Sequence, residues 1–186
     1  MGIDVYCLEF LLGYKGHELG DTLCLGRQGF HVTNSEQVRA VLARHGVTVP
    51  VAELRSADGY AEQFLHHLGS RCVHSLDISN FEGANIIHDL NQPVPDELVA
   101  KFQFILDGGS LEHVYNFPQA IANVKRMLKV GGVFISINAA NNQLGHGLYQ
   151  FSPELFWRVF GTGTGFAIER MELVPLRNGQ PPVRSF

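Results

Sequence analysis

The chain has 186 residues, 45% of them hydrophobic and 17% charged, with a formal net charge of −4. That length and composition suit one domain with a full core, and with no basic run nothing offers an electrostatic grip on nucleic acid. Cys7, Cys24 and Cys72 lie far apart, with no CxxC pair and an odd count, so they read as small hydrophobes of a reducing compartment rather than bridges or metal ligands. Asp4, Glu9 and Lys15 interrupt the first apolar stretch, which argues against a leader or a span. The expectation is a cytoplasmic protein with no membrane partner.

Ile3, Tyr6, Phe10, Leu11 and Tyr14 recur at helical spacing and predict an amphipathic helix over residues 3–14, broken by Gly16 and Gly20. Thr22–Leu25 reads as a short buried strand, followed by the loop Gly26-Arg27-Gln28-Gly29. Thr33 and Glu36 form a capping-box pattern ahead of Val38, Val41 and Leu42. A further helix is predicted over about residues 59–68, and its His66-His67 has no partner at metal spacing. Strands follow at Cys72–Ile78, ending in Asp77, and at Ala84–His88, closed by Asp89. Residues 95–101 are expected to add a helical turn or two.

Phe102–Ile137 holds a whole strand–helix–strand unit. Phe102–Leu106 runs into Asp107-Gly108-Gly109, Asn116 and Pro118 open a helix with Ile121, Val124 and Leu128 on one face, and Gly131-Gly132 is expected to stop it before a strand over Val133–Ile137. A helix between two buried strands implies a right-handed parallel crossover, so the fold class is α/β. Ser152 and Pro153 open a last helix that carries Phe156, Trp157 and Phe160, aromatics expected in the core. Phe166–Val174 is expected to be a sixth strand, and residues 176–185 are either a weak seventh or absent from the sheet. One domain over 1–186 accounts for all of it.

In an open parallel sheet a ligand sits beyond the carboxyl ends of the strands, where strand order reverses. Three of the five relevant strand ends carry an aspartate, Asp77, Asp89 and Asp107. A carboxylate after the second strand can accept from both ribose hydroxyls, and one after the third from an exocyclic amine. Any one of these aspartates is explained by turn chemistry; together they favour a nucleoside-type ligand.

The order of parts resembles a class I S-adenosylmethionine-dependent methyltransferase over about residues 20–174, with a Rossmann-like three-layer sandwich. CVHSLDIS (72–79) is similar to the family's second-strand motif, ANIIHDL (84–90) to the third, FQFILDGGSLEHV (102–114) to the fourth, and MLKVGGVFISI (127–137) to its helix-Gly-Gly-strand. The strings LGRQ, EGANIIHDLN and GHGLYQFSPELF are similar to those of bacterial methyltransferase-domain proteins. The resemblance implies S-adenosyl-L-methionine as cofactor, Asp77 and Ile78 at the ribose and adenine, Asp89 and Leu90 at the adenine, and Gly26, Asp107, Gly108 and Gly109 beside the rest. The family's first loop reads acid-x-Gly-x-Gly-x-Gly, whereas TLCLGRQGF (22–30) places Cys24 at the acid and Gln28 at the middle glycine. A side chain there either narrows the pocket or reroutes the loop. Arg27 and Gln28 are then expected to point at the methionine carboxylate.

For an acceptor that needs a base, His146 in the Gly-flanked loop after the fifth strand ranks ahead of His113 after the fourth. The readings that follow are methyl transfer to a small molecule such as a sugar, or a non-catalytic binding or assembly module that kept the fold. A nicotinamide dehydrogenase is set aside, because no GxGxxG follows the first strand.

Overall fold

The computed structural model describes residues 2–174 and the backbone of Arg184–Ser185. The elements run β1 (Gly2–Ile3), α1 (Val5–Leu12), β2 (Gly20–Leu25), β3 (Gly29–Phe30), α2 (Glu36–Arg44), α3 (Glu62–Leu68), β4 (Ser70–Asp77), β5 (Ile86–Ile87), β6 (Phe102–Asp107), α4 (Phe117–Met127), β7 (Leu128–Ser136), α5 (Pro153–Phe160), β8 (Glu172–Leu173) and β9 (Arg184–Ser185). Five strands form the central sheet in the order β5-β4-β2-β6-β7, every neighbouring pair parallel. The first of these strands therefore lies in the middle and the chain winds outward to both sides, as in Rossmann-like α/β folds.

Alternation along the strands divides the core in two. Cys24, Phe104, Leu106 and Ile135 face α1, α2 and α3, whose Leu8, Leu11, Val41, Phe64 and Leu68 are buried against them. Leu23, Leu25, Leu76 and Ile105 face the other way, toward Ile121, Val124 and Met127 of α4 and Phe160 of α5. Period-two side chains on a sheet covered on both faces give the unbroken apolar runs seen in β2 and β6.

Several boundaries differ from the sequence expectation, each for a local reason. The first helix is capped by Asp4, whose carboxylate accepts from the amides of Tyr6 and Cys7, so it starts at Val5 and ends at Leu12. Ser35, not Thr33, caps α2. Gly131-Gly132 does not stop α4; the helix ends at Met127, and Leu128 already pairs with Phe102 as the start of β7. Lys129 is part of that strand. The turns over 95–101 reduce to one 3-10 turn at Asp96–Leu98.

Among the described residues no sixth strand joins the sheet. Of the expected Phe166–Val174 only β8 is extended in a pair, antiparallel to β9. Most of 176–185, where a closing strand was expected, lies outside the described residues. One feature had no counterpart in the sequence reading: β1 pairs in parallel with β3, which ties the start of the chain to the loop after β2. No helix of the described residues is long and apolar enough to cross a membrane.

Candidate functional site

The carboxyl edge of the sheet is built from the loops after β2, β4, β5, β6 and β7. Its centre is the loop after β2, which is packed shut. Gly26 takes a left-handed φ of +69° and donates its amide to Leu76 O, turning the chain sharply. Gln28 is 2% exposed, and its Nε2 donates to Leu25 O at 2.8 Å and to Gly26 O at 3.2 Å. Its Oε1 has no partner among the described residues and lies over Gly108, where a Cβ would sit only 2.2 Å from it. Gly108 is thus a glycine because the Gln28 side chain occupies the space above it. Phe30 is buried against Phe64, ring centroids 5.6 Å apart. The cavity lined by Cys24, Gln28, Glu62 and Ser75 measures about 10 Å³, room for one water at most, against roughly 300 Å³ or more for a ligand pocket.

Arg27 points away from this centre. Its Nε donates to Glu62 Oε1 at 2.6 Å, one terminal nitrogen to Asp58 Oδ2 at 2.7 Å, and the other to Glu82 O at 3.1 Å, while the guanidinium stacks 3.8 Å from the centroid of Tyr60. The two carboxylates were not found from sequence. They raise the Arg27 pKa further, against an opposing contribution from burial.

The three aspartates part company. Asp107 is fully buried and accepts four hydrogen bonds: the amides of Ser110 (2.8 Å) and Leu111 (3.2 Å) on Oδ1, and Ser136 Oγ (2.8 Å) and Asn138 Nδ2 (2.7 Å) on Oδ2. Ser110 Oγ in turn donates to Leu25 O. The carboxylate therefore fastens the ends of β2, β6 and β7 together, and burial outweighs its donors to push its pKa up to about 6. Asp77 ends β4 on the open rim, with Ser79 N at 3.3 Å from its Oδ1, and Ile78 beside it is 68% exposed. Asp89 accepts from Asn91 N and Nδ2, which lowers its pKa. Leu90 is part of the core.

Across the sheet, the loops after β6 and β7 bring His146 against Glu112 and His113, residues far apart in sequence. His146 Nε2 lies 3.5 Å from Glu112 Oε1, and the rings of His146 and His113 meet edge-on with centroids 5.1 Å apart. Glu112 is buried and its Oε2 has no partner among the described residues; burial raises its pKa. Burial also lowers the pKa of His113. The loop bearing His146 is pinned to the same residue, since Leu148 N and Tyr149 N both donate to Glu112 O, at 2.7 and 3.1 Å. Tyr149 OH adds a bond to Tyr115 O at 2.6 Å. Sequence reasoning placed both histidines near an acceptor but gave Glu112 no role; the burial that makes its carboxylate matter is set by β6 and by the returning loop, and neither is a local signal.

No family model matches this chain, and no curated protein and no solved structure matches it.

Proposed function

We propose that the protein is an S-adenosylmethionine-dependent methyltransferase acting on a small-molecule acceptor, a sugar or related metabolite, in the cytoplasm. The observation that supports this most is the placement of two different kinds of group on either side of the β2 loop. Asp77 and Ile78 stand on the β4 side, an acceptor for ribose hydroxyls beside an exposed apolar platform. Glu112, His113 and His146 stand on the β6–β7 side. A nucleoside-bearing donor and a hydroxyl acceptor need those two half-sites, at the edge where open parallel sheets hold ligands.

The residues fit the cofactor unevenly. Asp77 has one local donor and Ile78 is open, which suits a ribose and an adenine. The methionine half has no room over Gly108, because Gln28 is there, and Arg27 is committed to Glu62 and Asp58. Bound, the cofactor would supply an electrophilic methyl group. The chain's part is to hold the ribose at Asp77 and to take the acceptor's proton on His146, whose Nε2 lies 3.5 Å from Glu112. Gln28 also favours a second reading, a binding or assembly module that kept this fold without catalysis.

Titration calorimetry with S-adenosylhomocysteine separates the two. Methyl transfer predicts micromolar binding by the parent and at least tenfold weaker binding by Asp77→Ala, since two charge-assisted contacts to the ribose are lost. No heat and no thermal shift at millimolar ligand, for the parent and for Gln28→Gly alike, would establish the second reading instead.

A further inference from the structure

Glu112 presents an electrostatic problem. Its carboxylate is 3% exposed, Oε2 has no hydrogen-bond donor among the described residues, and the nearest cationic partner of Oε1 is His146 at 3.5 Å, longer than a good hydrogen bond. Buried charge of this kind is expected to be paired or to hold a metal. A protonated His146 would address one oxygen. It would also set a positive ring against His113, whose centroid is 5.1 Å away. One divalent cation resolves both difficulties.

We propose that Glu112, His113 and His146 bind a single divalent transition-metal ion of the zinc type. One ligand atom from each, a carboxylate oxygen and two ring nitrogens, lies within 4.8 Å of the others. Bonds of about 2.0–2.1 Å in a tetrahedral site put ligand atoms roughly 3.3 Å apart, so closure of about 1.5 Å completes the set. His146 can make that movement, since it is half-exposed between Gly145 and Gly147, both at positive φ, in a loop whose far end stays anchored on Glu112 O. Two nitrogens and one oxygen suit zinc or a neighbouring first-row ion, and select against magnesium and calcium, which want oxygen. Both histidines face solvent, so the remaining coordination position is open, as in catalytic rather than structural zinc sites.

The metal site stands independently of the cofactor. Its role toward an acceptor rests on the reading above: a hydroxyl bound at the open position loses its proton to solvent more readily, with His146 then acting as a ligand rather than as the base.

Zinc titration by calorimetry and cobalt substitution followed by visible absorption test this on the full chain. The parent is expected to bind one ion and, with cobalt, to show d–d bands of a low-coordinate site. His146→Ala and His113→Ala should each weaken binding by more than about a hundredfold, beyond the effect of outer-shell partners. These positions lie at the surface, and melting curves without metal check that the variants fold; Glu112→Gln adds the buried ligand. No binding by the parent, or binding that both histidine variants retain, overturns the proposal, the latter because seven of the chain's nine histidines lie elsewhere. If zinc fails while S-adenosylhomocysteine binds through Asp77, the metal idea falls alone; the reverse result removes only the cofactor.

Discussion

Gln28 and Gly108 depend on each other, and magnitudes say how. Removing the Gln28 side chain loses two hydrogen bonds, about 1 kcal/mol each, but also removes a buried acceptor without a partner, a penalty of about 1–3 kcal/mol. Gln28→Ala is therefore expected to change stability by less than about 1 kcal/mol in urea melts. Gly108→Ala forces a methyl against Oε1 and should cost about 1–3 kcal/mol as overpacking does. The double variant should recover most of that loss, a coupling that a cycle of the four proteins measures directly. Asp107 gives a pH prediction. Its folded pKa, about 6, lies above the ordinary value of 3.8, so the native state prefers the protonated form. The stability it contributes is complete below about pH 4 and is lost as pH rises through 6, on the order of 3 kcal/mol. Asp107→Asn removes this dependence: relative to the parent, its melting temperature should rise between pH 4.5 and 7.5. Asn138, whose buried Oδ1 has no partner among the described residues, would turn that oxygen toward the new amide.

Two connecting segments show what an element does beyond its own residues. Arg27 ties the loop after β2 to Asp58, Glu62 and the backbone of Glu82, so its removal should be felt in stability rather than in ligand affinity. Arg27→Ala is expected to cost about 1–2 kcal/mol, given charge-assisted bonds that are only partly shielded from water. Its affinity for S-adenosylhomocysteine should stay within about twofold of the parent; a tenfold loss would show instead that the guanidinium swings to the cofactor. The segment from Asn138 to Phe151 is held at Glu112 O, Tyr115 O and Ala139 O, yet exposes Leu144 and Leu148. Limited proteolysis should cut first between 141 and 148, and zinc should slow that cut if His146 is drawn inward. Elements of this edge were legible in part. Asn116 and Pro118 announce α4, and Phe102–Leu106 announces β6, because capping chemistry and buried apolar runs are local. The partners of Arg27, the burial of Asp107 and the meeting of residues 112 and 146 are not local: each depends on which loops the sheet order makes neighbours.

At the scale of the whole molecule, strand order follows from the same logic. Two central strands with apolar residues on both faces, Leu23 to Leu25 and Phe104 to Leu106, can only lie inside a covered sheet, which made the α/β class readable. The outer strands were harder, because they carry less of the core and end where loops dictate: β5 is two residues long, and β7 begins five residues before the expected strand. That early beginning has an effect of its own. Between the pairs Phe102–Leu128 and Phe104–Val133, residues 129–132 stand opposite Gln103 alone, with Gly131 at φ +74° and Val130 wholly exposed. On the flank of the sheet beyond β6, where a straight ribbon would offer its free amides and carbonyls to a neighbour, the chain instead bows outward. Shortening that bow by deleting Val130–Gly132 should leave a smooth border, and with it a protein that assembles into fibrils on storage, detectable as rising light scatter and thioflavin fluorescence.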